Sequence, residues 1–198
     1  RESMYLPVLT LWRRWAVPHF MTTGSGFGRI DLTDRLTERS MMGKVNETMS
    51  YSAEGQELKG YLAFDDEAGP RPGVMVIHEW WGLDNYIRER TDRLAELGYT
   101  ALALDMYGDG RTGGSPDEAG ALMNGVLGDM ESGTARLKSG YEALAAHPAA
   151  DADRIAAIGY CFGGAMVLHM ARLGMDLDAV VSFHGSLGSF HKPGPGEV

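Results

Sequence analysis

The chain has 198 residues, 44% of them hydrophobic, and a formal net charge of −9. That length suits one domain, and that apolar fraction an ordinary globular core. The acidic balance argues against a nucleic-acid partner, and a single cysteine excludes an internal disulfide.

Residues 1–40 stand apart. They carry six arginines and no lysine against two aspartates and two glutamates, a net +2 that leaves −11 for the remainder. A charge shift of this kind marks a boundary. Residues 1–40 read as an ill-determined N-terminal extension and residues 41–198 as the domain, with Met41 or Met42 a sensible start. Trp12-Arg13-Arg14-Trp15 interrupts the only apolar stretch, so neither a signal-peptide core nor a membrane span is expected. Pro7 and Pro18 leave little room for a basic membrane-surface helix.

Val45–Tyr51 and Glu57–Phe64, with Glu54-Gly55 between them, read as a hairpin. A short apolar strand follows at Val74–Ile77. At its carboxyl end stands His78-Glu79-Trp80-Trp81-Gly82. In open α/β sheets the groups that face a ligand sit at the carboxyl ends of strands. An acid there, followed by two tryptophans and a glycine, points to a site. The plainer alternative is a solvated turn whose tryptophans cover core. Histidine and glutamate side by side lack metal-ligand spacing, so neither a metal nor a cofactor is expected.

Asp84–Leu97 reads as a helix, with Ile87, Leu94 and Leu97 on its buried side and Gly98 as its stop. Strand Thr100–Leu104 leads into Asp105-Met106-Tyr107-Gly108. Ser115 is an N-cap and Pro116 the first helical residue. Gly120, Gly125 and Gly128 leave the helix that continues to Met130 weakly specified. A second helix spans Ser132–Ala146 and ends at His147-Pro148. Strands at Arg154–Ile158 and Ala179–Phe183 flank one more helix. Strand–helix alternation predicts an α/β fold with a largely parallel sheet covered by helices on both faces.

The most pointed motif is Gly159-Tyr160-Cys161-Phe162-Gly163-Gly164, directly after Ile155-Ala156-Ala157-Ile158. A strand that ends in Gly-x-Cys-x-Gly and opens a helix is a nucleophile elbow with sulfur in place of oxygen. The helix runs through Ala165–Leu173 to Gly174, with its N-terminus at Cys161, where unpaired N–H groups favour negative charge. The Phe162 N–H is the expected first oxyanion donor. The alternative is a core cysteine acting as a small hydrophobe.

Together the elbow, His78-Glu79-Trp80-Trp81-Gly82 and Leu104-Asp105-Met106-Tyr107-Gly108 resemble the dienelactone hydrolase family of α/β hydrolases, over about residues 44 to 190. The resemblance implies that Cys161 attacks an ester or lactone carbonyl and that Glu79 helps generate its thiolate. It implies an oxyanion hole from the N–H groups of Trp80 and Phe162. An ionised Glu79 beside sulfur would oppose the thiolate, so Glu79 must act by taking the thiol proton. Trp80, Trp81 and Tyr107 are candidates for an aromatic pocket, with core packing as the alternative. Family members that act on dienelactone hold its carboxylate with an arginine soon after the Asp-x-Tyr segment. Here the matching residue is Asp109, and Arg111 stands two positions on. Unless Arg111 turns in, the clamp is absent and a broader ester substrate is open.

The resemblance also predicts a triad acid and histidine that the chain does not supply in place. Asp176 and Asp178 precede the last strand, at the opposite sheet edge. His169 lies inside the elbow helix. His184 sits at the correct edge one strand too early and reads as a structural group. His191 stands at the head of the Gly/Pro-rich tail 192–198. The expectation is therefore a hydrolase domain whose last strands are missing, with an exposed sheet edge and marginal solubility. Two other readings stay open: a catalytically incomplete binding module, and a Cys-dependent thioesterase or acyltransferase. The predicted partner is a small-molecule ester or lactone. A cytoplasmic location fits the free cysteine, and the oligomeric state is not specified.

Overall fold

Period-two alternation places each central strand between two apolar layers. In β3 (Arg71–Ile77), Met75 and Ile77 join one buried cluster while Val74 and Val76 join the other. The computed structural model describes residues 43–185. The expected boundary near residue 41, His191 and the tail 192–198 lie outside the described residues.

Among the described residues six strands form one sheet: β1 (Lys44–Ala53), β2 (Gln56–Asp65), β3, β4 (Thr100–Ala103), β5 (Ala150–Tyr160) and β6 (Ala179–Phe183). Their order is β1-β2-β4-β3-β5-β6. The hairpin β1–β2 and the β2–β4 pair are antiparallel, and the β4–β3, β3–β5 and β5–β6 pairs are parallel. The fold is thus α/β with a mixed, mostly parallel sheet, as expected. β3 and β5 both start earlier than their apolar runs. Arg71 and Pro72 pair with Ala150 and Asp151 ahead of a register shift, where polar residues hide the strand from a hydrophobicity reading.

Among the described residues four helices flank the sheet: α1 (Asn85–Glu96), α2 (Pro116–Gly128), α3 (Met130–Ala146) and α4 (Phe162–Arg172). Ile87 and Ala95 of α1 pack with Val74, Val76 and Ala103 on one face. Leu137 and Leu144 of α3 and Met166 and Met170 of α4 pack with Met75, Ile77 and Leu102 on the other. The expected buried side of α1 holds at Ile87 and in part at Leu94, which packs against the same cluster, and is corrected at Leu97. Ile87, Thr91 and Ala95 form the stripe, and Leu97, at the C-cap, is 67% exposed. Four-residue steps from Ile87 reach Ala95, and the helix ends before another step is possible. α3 begins at Met130 rather than Ser132 because Asp129 is its N-cap, accepting from the Ser132 N–H at 3.1 Å.

Candidate active site

Strand register brings Cys161 and Glu79 together. Ile77 of β3 pairs with Gly159 of β5, and each candidate residue stands two positions further on. Paired strands run about 4.8 Å apart, so the two residues leave the sheet side by side at its carboxyl edge. From there β3 leads to α1 on one face and β5 to α4 on the other. This divergence marks a switch point of the sheet, where α/β proteins place ligands.

Cys161 has φ 53° and ψ −112°, a conformation that residues with a side chain rarely adopt. Its surroundings hold it there. Its N–H donates to the Phe183 carbonyl at 3.0 Å, and the Gly163 N–H donates to the His78 carbonyl at 3.1 Å. A Cβ on Gly159 would lie 2.0 Å from the Gly163 oxygen, and one on Gly163 would lie 2.2 Å from the Ile77 oxygen. The strand, helix and acid loop touch through bare backbone at these two glycines. Among the described residues no side chain caps the first amides of α4, and such a helix start favours an anion.

The acid loop is pinned along its length. The Tyr107 hydroxyl donates to the Trp80 carbonyl at 2.8 Å, and the Gly113 N–H donates to the Trp81 carbonyl at 2.9 Å. Gly82 and Thr112 form an antiparallel bridge. The fully buried His78 ring reaches the Glu79 carbonyl through Nδ1 at 2.5 Å and accepts the Met106 N–H on Nε2 at 3.3 Å. Burial pushes the His78 pKa below the ordinary histidine value, so the ring is neutral. Neither the Trp80 N–H nor the Phe162 N–H has a hydrogen-bond partner among the described residues. Two such donors beside a nucleophile can bind an oxygen that gains charge.

Glu79 keeps 28% of its side chain exposed, and Cys161 is half-buried. His184 Nε2 lies 3.7 Å from Glu79 Oε1. The histidine read as a structural strand-end group therefore faces the candidate acid. Its place at the carboxyl end of β6, beside the elbow, was the available signal. His169 is buried and meets the Thr134 hydroxyl at 2.9 Å, well inside α4. Asp178 donates its N–H to Ile155 at the far edge.

The pocket candidates divide. Trp80 and Trp81 are partly exposed, with ring centroids 5.0 Å apart. Tyr107 is 1% exposed, its ring 4.7 Å from that of His78 and 6.1 Å from that of Phe162. It is a core strut under Trp80, and burial raises its hydroxyl pKa. Arg111 folds back on its own turn, donating to the Gly108 carbonyl at 3.2 Å and to the Tyr107 carbonyl. Asp105, seen in the sequence only as part of a motif, shapes that turn. Its buried carboxylate accepts the N–H groups of Lys59, Tyr107, Gly108 and Gly110. An acid followed closely by Gly108 and Gly110 was the legible hint. Among the described residues no three His, Cys, Asp or Glu side chains are grouped to hold a metal ion, and no helix is long and apolar enough to cross a membrane.

Residues 58–194 match the model of the dienelactone hydrolase family. Protein usf of Aquifex pyrophilus is 34% identical over 146 residues, which cover 71% of this chain and 62% of that protein. The solved structure of m3DLH superposes with a TM-score of 0.69 at 40% identity, covering 72% of this chain and 60% of the other. A dienelactone hydrolase-like promiscuous phosphotriesterase from metagenomic libraries gives a TM-score of 0.69 at 38% identity, with the same coverage. The chain thus spans about three fifths of the length of these relatives. Sheet order, elbow, acid loop and family match coincide, and the chain belongs to the dienelactone hydrolase family of α/β hydrolases.

Proposed function

We propose that this domain cleaves ester or lactone bonds through a covalent thioacyl intermediate on Cys161. Glu79 takes the thiol proton as sulfur adds to the carbonyl carbon, and the carbonyl oxygen becomes an oxyanion held by the Trp80 and Phe162 N–H groups. The tetrahedral adduct collapses, the alcohol or enol leaves with a proton, and water later releases the acid. Activated esters and enol lactones suit a sulfur nucleophile because their leaving groups are good. The observation that carries this reading is the elbow itself: Cys161 at φ 53°, one strand from Glu79, with the Trp80 and Phe162 N–H groups lacking a partner among the described residues. Arg111 is engaged by its own turn, which favours neutral esters over a carboxylated lactone. A second reading, phosphotriester cleavage at the same thiol, is favoured by the 38% identity with the metagenomic enzyme.

The test needs only the first half-reaction. Mixing the chain with excess p-nitrophenyl acetate is expected to release a stoichiometric burst of p-nitrophenolate and leave an acetyl group on Cys161 by peptide mass spectrometry. Cys161→Ala should abolish both. A burst that survives in Cys161→Ala overturns the reading. An aryl phosphotriester in a parallel run tests the second reading by phosphorylation of the same thiol.

A further inference from the structure

The buried ring of His78 touches the acid loop from beneath at Glu79, as the Tyr107 hydroxyl does at Trp80, and the chemistry above does not use it. Its hydrogen bonds fix its tautomer. The Met106 N–H can only donate, so Nε2 is the bare nitrogen and Nδ1 carries the proton of the neutral ring. That proton goes to the Glu79 carbonyl at 2.5 Å. The peptide between Glu79 and Trp80 is trans, so its carbonyl and its N–H point in opposite directions. That carbonyl also accepts the Gly82 N–H at 3.3 Å, and with it drawn toward a ring of zero exposure the Trp80 N–H is turned away from that ring. The same residue accepts the Gly163 N–H on its own carbonyl. It thereby ties the acid loop to the helix start that carries the Phe162 N–H. Flanking rings of Tyr107 and Phe162, at 4.7 and 6.0 Å, leave the imidazole no alternative seat.

We propose that His78 is a positioning residue that aims the Trp80 N–H at the reacting carbonyl oxygen, through the bond from its Nδ1–H to the Glu79 carbonyl. The proposal rests on the reading of Cys161 as the acylated nucleophile. It predicts that the loss of this one N–H acts on acyl transfer, which builds an oxyanion, and spares thiol alkylation, which does not.

The experiment measures two rates at Cys161 in the 198-residue chain: acetylation by p-nitrophenyl acetate and alkylation by iodoacetamide. His78→Phe should slow acetylation about 10²-fold, the cost of a lost oxyanion donor, with alkylation within about two-fold of the parent. His78→Asn places an amide N–H where Nδ1 was and should recover most of the loss. His78→Gln, whose amide extends to the Nε2 position, should not. Equal slowing of both reactions in His78→Phe, or unchanged acetylation, overturns the proposal. Nitrogen-15 chemical shifts of the parent give a readout that no variant can compromise. The Nδ1–H tautomer is expected, and an Nε2–H tautomer overturns the assignment. Absence of any Cys161-dependent burst in the parent is a separate result, which defeats the hydrolase reading and not the tautomer.

Discussion

In the proposed mechanism Glu79 and Cys161 compete for one proton, and the direction of that transfer decides whether sulfur is a nucleophile. A carboxylate that stayed ionised beside a thiolate would raise its energy by like-charge repulsion. A carboxylate that accepts the proton relieves that repulsion at the moment of attack. Glu79→Gln keeps the shape and removes the base. It should slow acetylation of Cys161 by roughly 10²–10³-fold near neutral pH, with the deficit shrinking as pH rises and hydroxide takes over. A deficit that stays constant from pH 6 to pH 10 would assign Glu79 a purely geometric role. Both residues were legible in the sequence because an apolar run ends directly before each of them. The partners of His78 and Asp105 were not. Their bonds run to backbone groups as far apart as 46 residues, and no local period encodes such a meeting. Tyr107 misled for the same reason, since an aromatic near a site reads as pocket lining until its hydroxyl is found on the Trp80 carbonyl, 27 residues earlier.

At the level of elements, caps and turns carried most of what could be read. Ser115 caps α2 by accepting the Glu118 N–H, and Gly98 and Gly174 end α1 and α4 with positive φ. Helix starts without an apolar residue nearby, such as Asp129, were harder to see than stops at glycine. The hairpin turn is more informative still. Glu54 has φ 51° and Gly55 φ 82°, both positive, as the two-residue turn that matches strand twist requires. Glycine meets that demand freely and glutamate does not. Glu54→Asn should therefore stabilise the domain by on the order of 0.5–1 kcal/mol, seen as a rise of a few degrees in thermal midpoint. A lower midpoint would mean that Glu54 makes a compensating contact in solution.

For the domain as a whole, the sheet ends in a strand that invites pairing. Among the described residues β6 pairs only with β5, and its Val181 and Phe183 are each 43% exposed. The Phe183 ring stacks on Tyr160 at 4.9 Å, so the apolar patch runs onto β5. Such an edge templates addition of another chain. The 198-residue chain should self-associate with rising concentration in light scattering, and Val181→Lys should shift it toward monomer. A parent that stays monomeric would show this edge to be covered in solution. The other end of the same ladder has a consequence for how chemistry and recognition can change separately. The distance between thiol and acid is set by hydrogen bonds between β3 and β5, whereas Asp109 and Arg111 belong to a turn outside that ladder. Under the proposed function, the chain would carry its reaction on the frame and its selectivity on the fittings. Diversifying the turn at residues 109–112 would re-specify which acyl group enters while the spacing of the reacting pair stays as the strands dictate.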